Sequence, residues 1–187
     1  MTDKVRTNSQ DKIAGAINYR VANPDDAEQL SEWDKQPHMQ AIIGNSDWWN
    51  WPEELANPGN WRLMLIAEID GTAFGFLQLM YAGGDPHNFW PDLDDTHMAI
   101  DIWIGTPHLI GRGLGSHMMN HALSRCFEDK DVSTVWIDPH LKNERAIAFY
   151  QKHGFEPFAQ RQDGEETYYI HRLTRIRFMS RSQNSIM

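Results

Sequence analysis

The stretch "IDIWIGTPHLIGRGLGSHMMNHAL", Ile100 to Leu123, runs from an apolar strand through three glycines in five residues into a helical apolar pattern. Leu114, Met118, Ala122 and Cys126 recur at helical spacing, with Met119 and Leu123 beside them, which predicts one buried helix face. A helix N-terminus exposes unpaired backbone N–H groups and the positive end of the helix dipole, so glycines there let a phosphate approach closely. The Lys-Ser/Thr pair of a kinase-type P-loop is absent, and the turn follows four strands, whereas a dinucleotide fingerprint sits near the first. On these residues alone, a cradle for a coenzyme pyrophosphate and a plain tight connection both stay open.

Working outward, "AINYRVA" (Ala16–Ala22) reads as a strand, and the following helix starts with Asn23 as N-cap and Pro24 at its first position. "QPHMQAIIGNSDWWNWPEELANPGNW" (Gln36–Trp61) keeps no period and predicts a long loop with one short helix. "RLMLIAEI" and "TAFGFLQLMY" flank Asp70-Gly71, a strong hairpin signal. The acidic loop "AGGDPHNFWPDLDD" (Ala82–Asp95) precedes the strand "HMAIDIWIG". Beyond the glycine turn come a strand, "STVWIDP", a helix, "NERAIAFYQKHG", closed by Gly154, and a last strand, "TYYIHRL". Hairpin strands followed by βαβ units give a mixed α/β or α+β sheet. The 187 residues, with eight tryptophans, predict a flexible segment over 1–15, one domain over 16–175 and a basic tail over 176–187.

The chain carries a formal net charge of −9, unevenly spread. Between Gln36 and Gly111 ten acids face a single base, Arg62, while Arg172, Arg175, Arg177 and Arg181 lie in a C-terminal stretch without acids. Such a balance fits a solvated acidic surface or a cleft for a polycation, and argues against nucleic acid as the main partner. No apolar run of about 18 residues and no signal pattern is readable, so a cytoplasmic protein without a membrane partner is expected. Cys126, the sole cysteine, falls at an apolar helical position and reads as a packing residue. His117 and His121 stand four apart, but with no evident third ligand no metal is expected.

The run from Ile100 to Leu123, followed by "VWIDPHLKNERAIAFYQKHGFEPF" (Val135–Phe158), resembles the consecutive coenzyme-A-binding motifs of the GNAT acetyltransferases. Asn143, Ala146, Ile147, Phe149, Tyr150, Gly154 and Phe155 match the family's N-x-x-A-I-x-F-Y-x-x-x-G-F residue by residue. The resemblance implies a mostly antiparallel sheet flanked by helices, with a parallel strand pair splayed at an acetyl-CoA site. It implies that Ile102, Trp103 and Ile104 hold the pantetheine arm by their backbone, and that Asn143, Ala146, Phe149 and Tyr150 line it. The pyrophosphate would rest on Ile110, Gly111, Arg112, Gly113, Leu114, Gly115 and Ser116. The family commonly has Arg or Gln where Ile110 stands, so binding there falls to the backbone amides from Gly111 to Ser116.

Within the family, the chain is closest in likeness to the aminoglycoside 6′-N-acetyltransferases. The likeness lies in Trp48-Trp49 in an early loop, the acidic and aromatic second loop, "ID" at Asp101 and "DP" at Asp138-Pro139. It implies direct transfer of acetyl to a cationic small-molecule amine. Trp48, Trp49, Trp90, Asp92, Asp94, Asp95, Asp101 and Asp138 are the candidate acceptor contacts. An amine attacks only when unprotonated, so a base must take its proton, and a leaving thiolate gains from a positioned acid. Asp101, a carboxylate set between isoleucines, is the candidate base; Tyr150 is the candidate acid, and a backbone N–H near Trp103 the candidate donor to the thioester oxygen. Siderophore acyltransferases acting on N-hydroxylysine share the apolar-start glycine loop and are the rival enzyme reading. A coenzyme-A-binding regulatory module, docking through the basic tail, is the non-enzymatic one. Both a monomer and a homodimer are compatible with the sequence.

Overall fold

The computed structural model describes residues 15–43, 49–86, 90 and 92–184. Seven strands form one sheet: β1 (Ile17–Val21), β2 (Arg62–Ile69), β3 (Thr72–Tyr81), β4 (His97–Ile104), β5 (Thr134–Ile137), β6 (Glu156–Asp163) and β7 (Glu166–Thr174). Their order across the sheet is β1-β2-β3-β4-β5-β7-β6. Every neighbouring pair is antiparallel except β4–β5, which is parallel. Six helices accompany it: α1 (Ala27–Asp34), α2 (Pro37–Ile43), α3 (Trp51–Ala56), α4 (Leu114–Glu128), α5 (Glu144–Lys152) and α6 (Arg175–Asn184).

The apolar runs of β2 and β3 lack strict alternation because both sheet faces are covered. Leu65 and Ala67 of β2 and Leu77 and Leu79 of β3 pack with Leu114, Met118, Met119 and Ala122 of α4. The residues between them, Met64, Ile66 and Phe76, turn the other way onto Leu30 and Trp33 of α1 and Trp51 and Leu55 of α3. Truncating a fully buried member such as Leu114 or Ile66 to Ala would cost about 2–5 kcal/mol. Asp70 and Gly71 both adopt positive φ, the backbone that joins β2 to β3 by a tight hairpin. Cys126 is buried in the α4 core, where burial pushes its thiol pKa up to about 12, so it packs and does not react.

Three elements depart from the sequence expectation. The region expected as a loop with one short helix contains two, α2 and α3, each too short to show a period. β6 went unread because it is an edge strand, mostly exposed and polar. The basic stretch expected as a tail forms α6, whose arginines turn inward onto carbonyls at the ends of other helices. Arg175 donates to Phe127 O at 2.9 Å, to Val132 O at 2.8 Å and to Asp129 O. Arg177 donates to Gly154 O at 2.7 Å and Arg181 to Lys152 O at 2.8 Å, at the end of α5. Cations there complement the negative ends of α4 and α5. Among the described residues no helix is long and apolar enough to cross a membrane.

Candidate active site

The parallel pairing of β4 with β5 covers only His97–Ala99 against Thr134–Trp136, so from Ile100 onward β4 runs without β5 beside it. The gap opens a cleft of about 580 Å³ lined by Ile102, Trp103, Ile104, Ile110, Gly115, Asn143, Ala146, Phe149 and Tyr150, among others. Nine candidate donor-site residues, separated by up to 48 positions, meet there. His38 of α2 closes one side, its Nε2 lying 2.9 Å from Ile104 O.

At the foot of the cleft, Gly111 and Gly113 take φ of 83° and 85°, the left-handed region that favours glycine. No heavy atom lies within 4 Å of where a Cβ would stand on either residue. The turn is therefore bare on its outer side, as a bulky anion requires. Ser116 and His117 donate their amides to Gly113 O at 3.0 and 3.3 Å, beginning α4. The Ser116 amide is thus already bonded within the first turn of α4. The Leu114 side chain is fully buried in the core, which leaves its backbone as the part that can face a ligand. Arg112 is exposed and donates Nε to His108 O at 2.9 Å, which keeps its charge beside the turn. Asn143 caps α5, its Oδ1 accepting from Ala146 N at 3.1 Å, so its Nδ2 is the group left to offer a ligand.

Asp101 lies on β4 opposite Gln78 of β3. The Gln78 Nε2 donates to Asp101 Oδ2 at 3.1 Å. Burial pushes the Asp101 pKa up to about 6, against the pull of the Gln78 hydrogen bond and the Arg62 charge. Asp138, at the end of β5, is also raised, first by burial and then by the Asp101 charge. Its ion pair with Arg161 of β6, at 2.9 Å, opposes that shift. Tyr150 is raised by burial and by both carboxylates, so its phenol stays protonated. The two acids and the phenol thus feel one another electrostatically, although they come from β4, the end of β5 and α5. Such a combination is chemically able to provide a base poised near neutrality and a proton donor coupled to it.

The remaining candidates are scattered. Trp90 is buried against Trp136, with the Arg161 guanidinium 5.2 Å from its ring centroid. Trp49 is half-buried and stacks on Trp51 at 5.2 Å. Asp94 is exposed and closes its own turn, accepting from Thr96 N at 2.9 Å and Thr96 Oγ1 at 2.6 Å. Asp92 and Asp95 are exposed, and neither borders the cleft. Trp48 lies outside the described residues. Sequence reading missed Gln78, Arg62 and Arg161. A lone glutamine inside the apolar run of β3, and a lone arginine among ten acids, were the available signals for the first two.

Comparison with known proteins agrees with this geometry. The acetyltransferase (GNAT) domain family matches residues 23–162. Aminoglycoside N(6′)-acetyltransferase type 1 of Klebsiella pneumoniae is 27% identical over 164 residues, covering 80% of this chain and 77% of that protein. Lysine N-acyltransferase MbtK of Mycobacterium tuberculosis is 28% identical over 129 residues, covering 66% and 61%. The crystal structure of aminoglycoside acetyltransferase AAC(6′)-Ib in complex with coenzyme A superposes with a TM-score of 0.78 at 24% identity, over 88% of this chain and 98% of that one. The bare glycine turn, the splayed strand pair and the motif from Asn143 to Phe155 suit the pyrophosphate and pantetheine of a coenzyme-A thioester. The chain belongs to the GNAT acetyltransferase family and is an acyltransferase whose donor is acetyl-CoA.

Proposed function

We propose that the protein transfers acetyl directly to a primary amine of a polycationic small molecule, with the 6′-amine of an aminoglycoside as the acceptor. The observation that carries this reading is that Tyr150 lines the cleft and interacts electrostatically with Asp101, on the part of β4 unpaired with β5 and next to the cleft-lining Ile102, and with Asp138 at the end of β5. Acetyl-CoA, when bound, supplies a thioester carbonyl for attack and a thiolate to leave. The amides from Gly111 to Gly115 hold its pyrophosphate, and β4 beyond Ala99 offers main-chain groups, near Trp103, to the pantetheine and the thioester oxygen. Asp101 takes the proton of the acceptor ammonium, directly or through water, and Asp138 anchors a second ammonium group. Tyr150 gives its proton to the departing sulfur. Homology to aminoglycoside acetyltransferases supports the acceptor class.

A second reading rests on Arg161. Its ion pair with Asp138 sets a cation among the acceptor-side acids, which suits an acceptor carrying a carboxylate as well as an amine, such as lysine or N-hydroxylysine. Homology to a lysine N-acyltransferase runs the same way. Thiol release from acetyl-CoA, measured across aminoglycosides with and without a 6′-amine, lysine, hydroxylysine and polyamines, separates the two. Turnover confined to aminoglycosides bearing the 6′-amine is expected. Turnover with lysine-type acceptors alone overturns the favoured reading.

A further inference from the structure

Asp101 is the inner end of a chain of polar groups that crosses an otherwise apolar layer. Arg62 of β2 pairs with Glu54 of α3, and its Nη1 donates to Gln78 Oε1 at 3.4 Å. Gln78 then donates Nε2 to Asp101 Oδ2 at 3.1 Å and contacts Met80 Sδ at 3.0 Å. The Gln78 side chain is fully buried, and the Arg62 side chain is only 5% exposed. Burying an amide and a guanidinium in this layer is unfavourable unless each is bonded, and here each is. The order also removes an ambiguity. A carboxamide has one accepting and one donating end, and Arg62 can only donate, so the oxygen of Gln78 faces Arg62 and its NH₂ faces Asp101.

We propose that Gln78, locked in this orientation by Arg62 and Glu54, is the positioning residue that fixes the Asp101 carboxylate and favours its ionised form. The inference rests on Asp101 being the base proposed above. A leucine at position 78 would fill the space and leave Asp101 without its donor, whereas a packing role alone needs no donor at all. Glu54 matters through charge: it neutralises Arg62, which otherwise draws Asp101 toward ionisation. The other groups coupled to the site are Asp138 and Tyr150, which interact electrostatically with Asp101, and Arg161, held on Asp138.

The test is the pH dependence of kcat/KM with a good acceptor, compared between wild type, Gln78→Leu, Glu54→Gln and Asp101→Asn. In Gln78→Leu the acid limb moves to higher pH by about one unit, since the ionised carboxylate has lost a hydrogen bond. In Glu54→Gln the side-chain oxygen still accepts from Arg62 but the neutralising charge is gone, so the limb moves to lower pH by a fraction of a unit. Opposite shifts from two positions are not produced by loosened packing. Coenzyme A affinity, measured by calorimetry, stays within about twofold in both and reports intact folding. If Gln78→Leu fails to bind coenzyme A, Gln78→Met, which keeps the side-chain length without a donor, takes its place and decides by the same upward shift. Limbs that stay in place in the folded variants overturn the role of Gln78. An acid limb that persists in Asp101→Asn instead overturns Asp101 as the base.

Discussion

Asp101 carries the proposed chemistry and an energetic cost together. Its pKa of about 6 means that kcat/KM falls as pH drops through that value, because the base becomes protonated. Asp101→Asn should lower kcat by about 10²–10³-fold with coenzyme A affinity unchanged, read by steady-state thiol release and calorimetry. The stability effect has the opposite sign. The folded protein holds this proton more tightly than the unfolded chain, so the Asp101 contribution to stability is fully present below about pH 4 and is lost as pH rises through about 6. Asparagine lacks that decline, so at pH 8 the variant should be more stable by about 2 kcal/mol, a few degrees in Tm, with the gap closing near pH 4. At this scale the sequence was informative where the chemistry is local. Asn143 and Tyr150 sit in one continuous motif, and Asp101 stands out as an acid between isoleucines. Arg161 could not be read, because its pairing with Asp138 spans 23 positions and depends on β6 lying at the sheet edge.

Among the elements, the glycine turn and α6 illustrate what local sequence specifies and what it leaves to tertiary structure. The turn was legible because its glycines meet a backbone requirement that few other residues meet. Gly113→Ala forces a left-handed φ of 85° on a side chain, at about 1–2 kcal/mol. The variant should melt a few degrees lower and bind coenzyme A at least several-fold more weakly as the amides lose their alignment, both checked by calorimetry. The role of α6 was not legible, because a run of arginines reads as a solvated tail until the carbonyls they bond are known. Arg175 meets three main-chain oxygens where α4 gives way to the approach to β5. Arg175→Ala leaves those acceptors without their partner, and urea denaturation should register a loss of about 2–4 kcal/mol, with kcat unaltered for the folded fraction. α2 and α3 escaped reading for another reason: six or seven residues are too few to establish a helical period.

For the molecule as a whole, the charge asymmetry that first pointed to a polycation survives folding in reduced form. Glu54 is paired with Arg62, Glu68 with Arg20, and Asp138 with Arg161. Asp92, Asp94 and Asp95 remain exposed on the second acidic loop, where they set a surface field without bordering the cleft. A field of that kind acts at a distance and is screened over about 10 Å at 0.1 M salt, whereas contacts inside the cleft are screened far less. Salt should therefore separate the two contributions. Raising sodium chloride from about 50 to about 500 mM should increase KM for a multiply charged aminoglycoside several-fold and leave kcat within about twofold. Replacing Asp92, Asp94 and Asp95 together by asparagine should reproduce much of that rise at low salt and flatten the salt dependence. A KM that responds to salt as before in the triple variant would place the attraction in the acids coupled to Tyr150, Asp101 and Asp138.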